Sequence, residues 1–161
     1  EPNPRFARQL ENLPWKCIFH PQAVSDTQGK ATLHVPILER GKQSPNTATL
    51  ERDEVSTEAF DRIEVETTTL DAFADEPDVQ LVKIDVEGHE PAVLAGGLDL
   101  IETHRPALIV EALDNHALMA SLDVVGQCDY DVVHLHEGRL RPFDAARPRR
   151  PEERNIVLLP R

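Results

Sequence analysis

The chain has 161 residues and a mass of 18.0 kDa, with 17 Lys and Arg against 29 Asp and Glu, a formal charge of 17 − 29 = −12. An excess of acid on this scale argues against a chain whose main partner is a phosphate backbone or an anionic membrane. The length suits one domain, 1–161, able to bury about 68–70% of its unfolded surface in a core of its own.

In chain order, residues 4–12 read as a short helix, with Phe6 and Leu10 four apart on one face. Residues 16–20 read as a strand. The turn Asp26-Thr27-Gln28-Gly29 leads into a strand over 30–36. Residues 39–59 are polar and carry Gly41, Ser44, Pro45 and Asn46, which predicts a long loop. Ile63, Val65 and Thr67 alternate with Arg62, Glu64 and Glu66, the pattern of a half-exposed strand. Residues 81–84 (Leu-Val-Lys-Ile) and 107–110 (Ala-Leu-Ile-Val) are short apolar runs bounded by turn residues, as in buried central strands. Between them Pro91 opens a helix whose apolar face is Ala92, Val93, Leu94, Leu98 and Ile101. Gly96-Gly97 bends or breaks it, and His104-Arg105-Pro106 ends it. A helix over 117–122, a strand over 130–135, an Arg- and Pro-rich loop over 139–154 and a last strand over 155–159 complete the reading. Strands alternating with helices in this way predict an α/β fold around a mostly parallel sheet.

The two cysteines, Cys17 and Cys128, have no ligand spacing around them, which fits a reducing compartment and predicts two buried small hydrophobes. No stretch approaches the roughly 18 apolar residues of a membrane span, and no basic, apolar leader opens the chain. A cytoplasmic protein with neither nucleic-acid nor membrane partners is expected. Glu1 opens directly onto a polar, Pro-rich stretch, so the first residue is expected to be a processing or truncation boundary. Charge is uneven: residues 139–161 hold seven Arg against three acids, net +4, and residues 1–138 hold 10 bases against 26 acids, net −16. The Arg cluster, including Arg149 and Arg150, reads first as a solvated loop and second as a site for an anionic acceptor.

The most informative segment is Lys83-Ile84-Asp85-Val86-Glu87-Gly88-His89-Glu90, where an apolar strand runs into ionisable side chains and then a helix. In open α/β sheets ligands bind beyond the carboxyl ends of the strands, and Glu111 follows the next apolar strand at that same edge. Carboxylates and an imidazole there could hold a divalent metal (Asp85 and Glu87 foremost), deprotonate a hydroxyl or hydrogen-bond a polyol. The plainer alternative is that Glu87 and Glu90 only complement the start of a helix. His134 and His136 share a strand face but no third ligand is visible, so they read as structural.

Glu1-Pro2-Asn3-Pro4 with Leu10 and Asn12 comes first, then Ala23-Val24-Ser25-Asp26 with Gly29 and Thr69-Leu70-Asp71. Lys83-Ile84-Asp85-Val86-Glu87-Gly88 with Glu90, Leu94 and Gly96 follows, and Arg105-Pro106 leads into Glu111. This ordered series resembles the motifs of the FkbM-type methyltransferases. The resemblance implies a Rossmann-like class I methyltransferase sandwich that moves the methyl of S-adenosylmethionine, usually to a hydroxyl oxygen of a sugar or secondary metabolite. It also implies that Glu1, with Asn3 beside it, holds the ribose hydroxyls, and that Ala23, Val24 and Asp26 lie along the adenine. Asp85, Glu87 and Glu90 would then stand beside the transferring methyl and a small-molecule or glycan acceptor. Asp85 is the first candidate for base or metal ligand and also for contact with the cofactor. His89 is the alternative base, and Glu111 shares the edge. The family's Gly-rich first turn has no counterpart, since the glycines are 29, 41, 88, 96, 97, 126 and 138 with no G-x-G. The chain is therefore expected to be an N-terminally truncated domain without the first strand, the Gly-rich turn and most of the second strand. Two alternatives stand beside a working O-methyltransferase: an inactive fragment or interaction module, and a metal-dependent hydrolase built on Asp85, Glu87, His89 and Glu111.

Overall fold

A computed structural model describes the chain except residues 11–16, 39–41, 45–46, 52–58, 113–114, 137 and 147–152. Its helices are α1 (Pro4–Leu10), α2 (Glu90–Ala95), α3 (Leu98–His104) and α4 (Asn115–Val125). Its strands are β1 (Ala23–Val24), β2 (Gly29–Leu38), β3 (Lys42–Gln43), β4 (Phe60–Thr68), β5 (Leu81–Ile84), β6 (Ala107–Glu111), β7 (Tyr130–His136), β8 (Arg139–Pro142) and β9 (Asn155–Pro160), with a 3-10 turn at Leu70–Phe73. The result is a mixed α/β fold with two sheets. Among the described residues no helix is long and apolar enough to cross a membrane.

The smaller sheet has the order β1-β4-β2-β3. Its centre is an antiparallel ladder from Gly29↔Thr67 to Pro36↔Phe60, and β1 runs parallel beside the end of β4. The alternation of β4 dictates its seating: Val65 and Thr67 are buried while Arg62, Glu64 and Glu66 face water. Val65 meets Ala23, Leu33 and Val35 in a small core.

The larger sheet has the order β5-β6-β9-β7-β8. Helices α2, α3 and α4 cover it through a core that includes Ile84, Leu94, Ile101, Leu108, Val125 and Leu158. The helix after Pro91 breaks at Gly96-Gly97 into α2 and α3, as expected.

Several expectations are corrected. The sheet is mixed, not mostly parallel: β5 and β6 are parallel, but β9 runs antiparallel between β6 and β7, and β8 folds back on β7. Apolar run length signals burial and carries no information on strand direction. Within the described residues β5 is an edge strand, not a central one, because β6 gives its other side to β9; Leu81 is accordingly 57% exposed. Residues 17–20 form no strand. They are held instead by the His20 ring edge-on to Phe73 at 5.0 Å and by the Glu1 ammonium donating to the His20 carbonyl at 3.2 Å. Lys16 lies outside the described residues. Within 39–59, β3 pairs with the end of β2, and Thr49 bridges His34, so part of that segment extends the sheet. Within 139–154, the first four residues are β8, entered through Gly138 at φ +74°. Cys128 is buried as expected, but Cys17 is exposed. His134 is buried with its ring edge-on to Phe143.

Candidate active site

The ends of β5 and β6 open into a cleft of about 570 Å³, a volume in the usual range for a small-molecule site. Its polar lining is mainly acidic: Asp85, Glu87 and His89 follow β5, Glu111 ends β6, and Glu1 enters from the start of the chain. The rest of the lining is largely apolar, including Phe6 and Leu10 of α1, Ala23 and Val24 of β1, Leu33 of β2, and the segment Ala48-Thr49-Leu50.

Register explains why the carboxylates converge. Ile84 pairs with Val110, so the next residues, Asp85 just past β5 and Glu111 at the end of β6, lie side by side at the sheet edge. Lys83, two residues before Asp85 and on its side of the strand, donates to Asp85 Oδ2 at 3.0 Å and to Glu111 Oε2 at 3.4 Å. Solvent-exposed pairs of this kind contribute little stability, about 0–1 kcal/mol, but they hold the two acids together.

The turn after Asp85 is conformationally expensive. Glu87 adopts φ +52° and Gly88 φ +100°, and for a residue with a Cβ this region costs on the order of 1–3 kcal/mol. Two hydrogen bonds enforce it: Gly88 N–H donates to Glu90 Oε1 at 2.9 Å, and Thr49 Oγ1 donates to the Glu87 carbonyl at 2.8 Å. Burial pushes the Glu87 carboxyl above its ordinary range, and the charges of Asp85, Glu111 and Glu90 push it further, against a smaller opposing effect of Arg154. Glu87 therefore holds its proton to higher pH than an ordinary glutamate.

His89 has both ring nitrogens engaged, Nδ1 with Glu51 Oε1 at 2.7 Å and Nε2 with Ser25 Oγ at 2.9 Å. Glu1 has one carboxylate oxygen committed, accepting the Asn3 N–H at 2.7 Å.

The cleft thus gathers seven of the expected residues: Glu1, Ala23, Val24, Asp85, Glu87, His89 and Glu111. Three are not among its lining residues. Asn3 is buried and caps α1 by accepting the Arg5 N–H at 3.1 Å; Asp26 accepts the Ser25 and Thr27 hydroxyls at 3.1 and 3.3 Å; Glu90 is fully buried and braces the turn. Sequence reasoning assigned no role to Lys83, Thr49, Glu51 or Ser25. Lys83 had a signal in its two-residue spacing from Asp85, whereas Thr49 and Glu51 arrive from a distant polar segment whose docking leaves no local pattern.

Among the described residues no group of three or more His, Cys, Asp or Glu side chains is placed to hold a metal ion. Among the described residues Asp85 and Glu87 thus gain no third ligand of this kind, and the hydrolase alternative gains no support from the described side chains.

Comparison with curated proteins and with solved structures finds no match. Comparison with protein families finds the methyltransferase FkbM domain over residues 1–132, a span that contains every described residue lining the cleft. The acidic strand ends and the ordered motifs sit inside a match covering most of the sequence, and the chain belongs to the FkbM methyltransferase domain family.

Proposed function

We propose that the cleft binds S-adenosylmethionine and that the domain transfers its methyl to a hydroxyl oxygen of a sugar or secondary metabolite. The observation that carries this is the lining itself: among the described residues it combines four carboxylates and an imidazole with apolar side chains and holds no Lys or Arg. A sulfonium and an α-ammonium are cations, the faces of an adenine are flat and apolar, and a ribose is a vicinal diol, so this lining complements these parts of the donor. When bound, S-adenosylmethionine supplies an electrophilic methyl on a positively charged sulfur.

Each residue has a stated task. Glu1 accepts from the ribose hydroxyls through the oxygen that Asn3 leaves free. Ala23 and Val24 flank the adenine, with Leu33 and Leu50 completing that wall. Asp85, Glu87 and Glu111 present negative charge to the sulfonium end, and the acceptor enters on their side. Much of the rate enhancement of such a displacement comes from holding the two partners in line. Asn3, Asp26 and Glu90 support the site from behind. The fold is read as the Rossmann-like class I sandwich, with ligand at the carboxyl ends of the strands. Acceptor contacts are expected from residues 39–59 and from the Arg-rich segment, of which Arg149 and Arg150 lie outside the described residues.

The test is incubation with S-adenosylmethionine labelled in its methyl group and a panel of glycosides and polyols. The expected product carries the label in a form stable to alkali, as a methyl ether does. Label released by alkali as methanol would identify a carboxyl acceptor instead and overturn the assignment to a hydroxyl.

A further inference from the structure

Three arginines gather at the same edge of the larger sheet as the cleft, and strand register places them there. Glu111↔Asn155 ends the β6–β9 ladder, and one step further the Ala112 N–H donates to the Arg154 carbonyl at 3.2 Å. On the other side of β9, His134 pairs with Ile156, and continuing that register brings position 136 level with Arg154. His136 pairs in turn with Arg139, and His134 with Arg141. Arg154 and Arg139 thus flank one position of β7, and with strands about 4.8 Å apart their backbones are separated by roughly 10 Å. Arg141 follows Arg139 by two residues, so both side chains leave the same face of β8.

All three arginines are exposed, and among the described residues none of them has a carboxylate partner. Other cations of this acidic chain do: Lys30 holds Glu64 at 2.7 Å, Lys83 holds Asp85 at 3.0 Å and Arg161 holds Asp131 at 2.6 Å. Nor are the three carried on loose loop, since the β7–β8 ladder fixes Arg139 and Arg141 and the Ala112 hydrogen bond fixes the Arg154 backbone. Backbones roughly 10 Å apart lie beyond the Debye length of about 8 Å in physiological salt, so keeping the cluster costs little stability. What the cluster offers is chemistry: each guanidinium is a rigid fork of donors that matches the oxygens of a carboxylate, sulfate or phosphate.

The neighbouring cleft has the opposite sign, with Glu1, Asp85, Glu87 and Glu111 in its lining. The Arg154 charge is felt there, opposing the upward push on the Glu87 carboxyl. An anionic group is repelled by that lining and attracted by the arginines beside it, which orients any ligand that carries one: hydroxyl toward the carboxylates, anion toward Arg154.

We propose that Arg139, Arg141 and Arg154 form an anion-binding subsite for the methyl acceptor, and that this acceptor is a sugar or polyol bearing a carboxylate, sulfate or phosphate group. This rests on the hydroxyl-methylation reading above and names its substrate class.

The test is titration of the nitrogen-15-labelled chain with methyl β-D-glucuronide, glucose 6-sulfate and glucose 6-phosphate, each compared with neutral methyl β-D-glucopyranoside, followed through backbone amide and arginine Nε–H signals. At least one anionic sugar is expected to give saturable shifts at Arg139, Arg141 and Arg154 and to bind about tenfold more tightly than the neutral one, the equivalent of about 1.4 kcal/mol. Arg154→Ala and Arg139→Ala are each expected to remove most of that preference, and Arg154→Lys to remove less, because an ammonium keeps the charge and loses the fork. Equal binding of anionic and neutral sugars, no shift at the three arginines with any probe, or unchanged binding in both alanine variants would overturn the proposal. So would inorganic sulfate binding as tightly as the sugars, which would mean an adventitious ion only. Binding is read without a methyl donor. An anionic sugar that binds at the arginines and is not methylated therefore contradicts the hydroxyl-methylation reading alone, whereas a neutral glycoside methylated as fast as its anionic counterpart contradicts the subsite alone.

Discussion

Gly96→Ala is expected to destabilise the chain by about 3 kcal/mol, at the upper end of what overpacking usually costs, and to disturb the site as it does so. Gly96 ends α2 with an ordinary φ of −82°, so backbone freedom is not the reason glycine is required. Close approach is. A Cβ there would lie 2.2 Å from the Ser25 carbonyl oxygen and 2.9 Å from Asp26 Cα, both backbone atoms that cannot swing aside. The helix that carries Glu90 therefore packs directly on the strand end that carries Ser25, and widening that contact moves Ser25 away from His89. Urea denaturation measures the stability loss; a change below about 1 kcal/mol, within the range of ordinary surface substitutions, would show that the two elements can separate without strain.

Arg105→Ala is expected to cost a similar amount, about 3 kcal/mol, with no direct contact to the cleft. Arg105 closes α3 in the left-handed conformation, φ +52° and ψ +43°. Its guanidinium donates to the carbonyls of Cys128, of Asp129 at 2.9 Å and of Arg161 at 3.4 Å, and stacks over the Tyr130 ring with its carbon 5.0 Å from the centroid. The Tyr130 hydroxyl in turn donates to the Pro106 carbonyl at 2.8 Å. Hydrogen bonds to a charged group are worth roughly 1.5–3 kcal/mol each, and the Cys128 carbonyl left behind is partly buried, whereas those of Asp129 and Arg161 are exposed. Arg105→Lys is expected to recover only part of the loss, because an ammonium cannot reproduce the fork. Thermal or urea unfolding separates the three proteins. Equal stability of Arg105→Ala and wild type would mean that the clamp between α3 and the last strands is redundant.

These two residues illustrate what could be read in advance. Gly96 and Arg105-Pro106 were visible as punctuation of a helical pattern, and their neighbours in space were not, because Ser25 and Asp129 are brought to them by chain segments far away in sequence. The strands β5, β6 and β9 were legible from short apolar runs, and β4 from its alternation. The position of β5 at a sheet edge and the reversed direction of β9 depend on which strand pairs with which, a property no single run encodes. Residues 17–20 fail as a strand although their composition permits one, and Ile18 is left 79% exposed. In the site, Asp85, Glu87, His89 and Glu111 were legible because strand ends in α/β folds converge on ligands. Glu51 and Thr49 were not, since they follow a sheet extension that the polar composition of 39–59 concealed. The roles of Asn3, Asp26 and Glu90 depend on burial and on the direction of single hydrogen bonds, which spacing does not specify.

The cleft at the ends of β5 and β6 is proposed as the methyl-donor site. Titration of the nitrogen-15-labelled chain with S-adenosylhomocysteine, followed through backbone amide shifts, tests this most directly. Saturable shifts are predicted at Ala23 and Val24, at Thr49 and Leu50, and from Val86 to His89, with β7 and β8 unmoved. An absence of shifts at saturating ligand, or shifts confined to β8 and the Arg-rich segment after it, would contradict it.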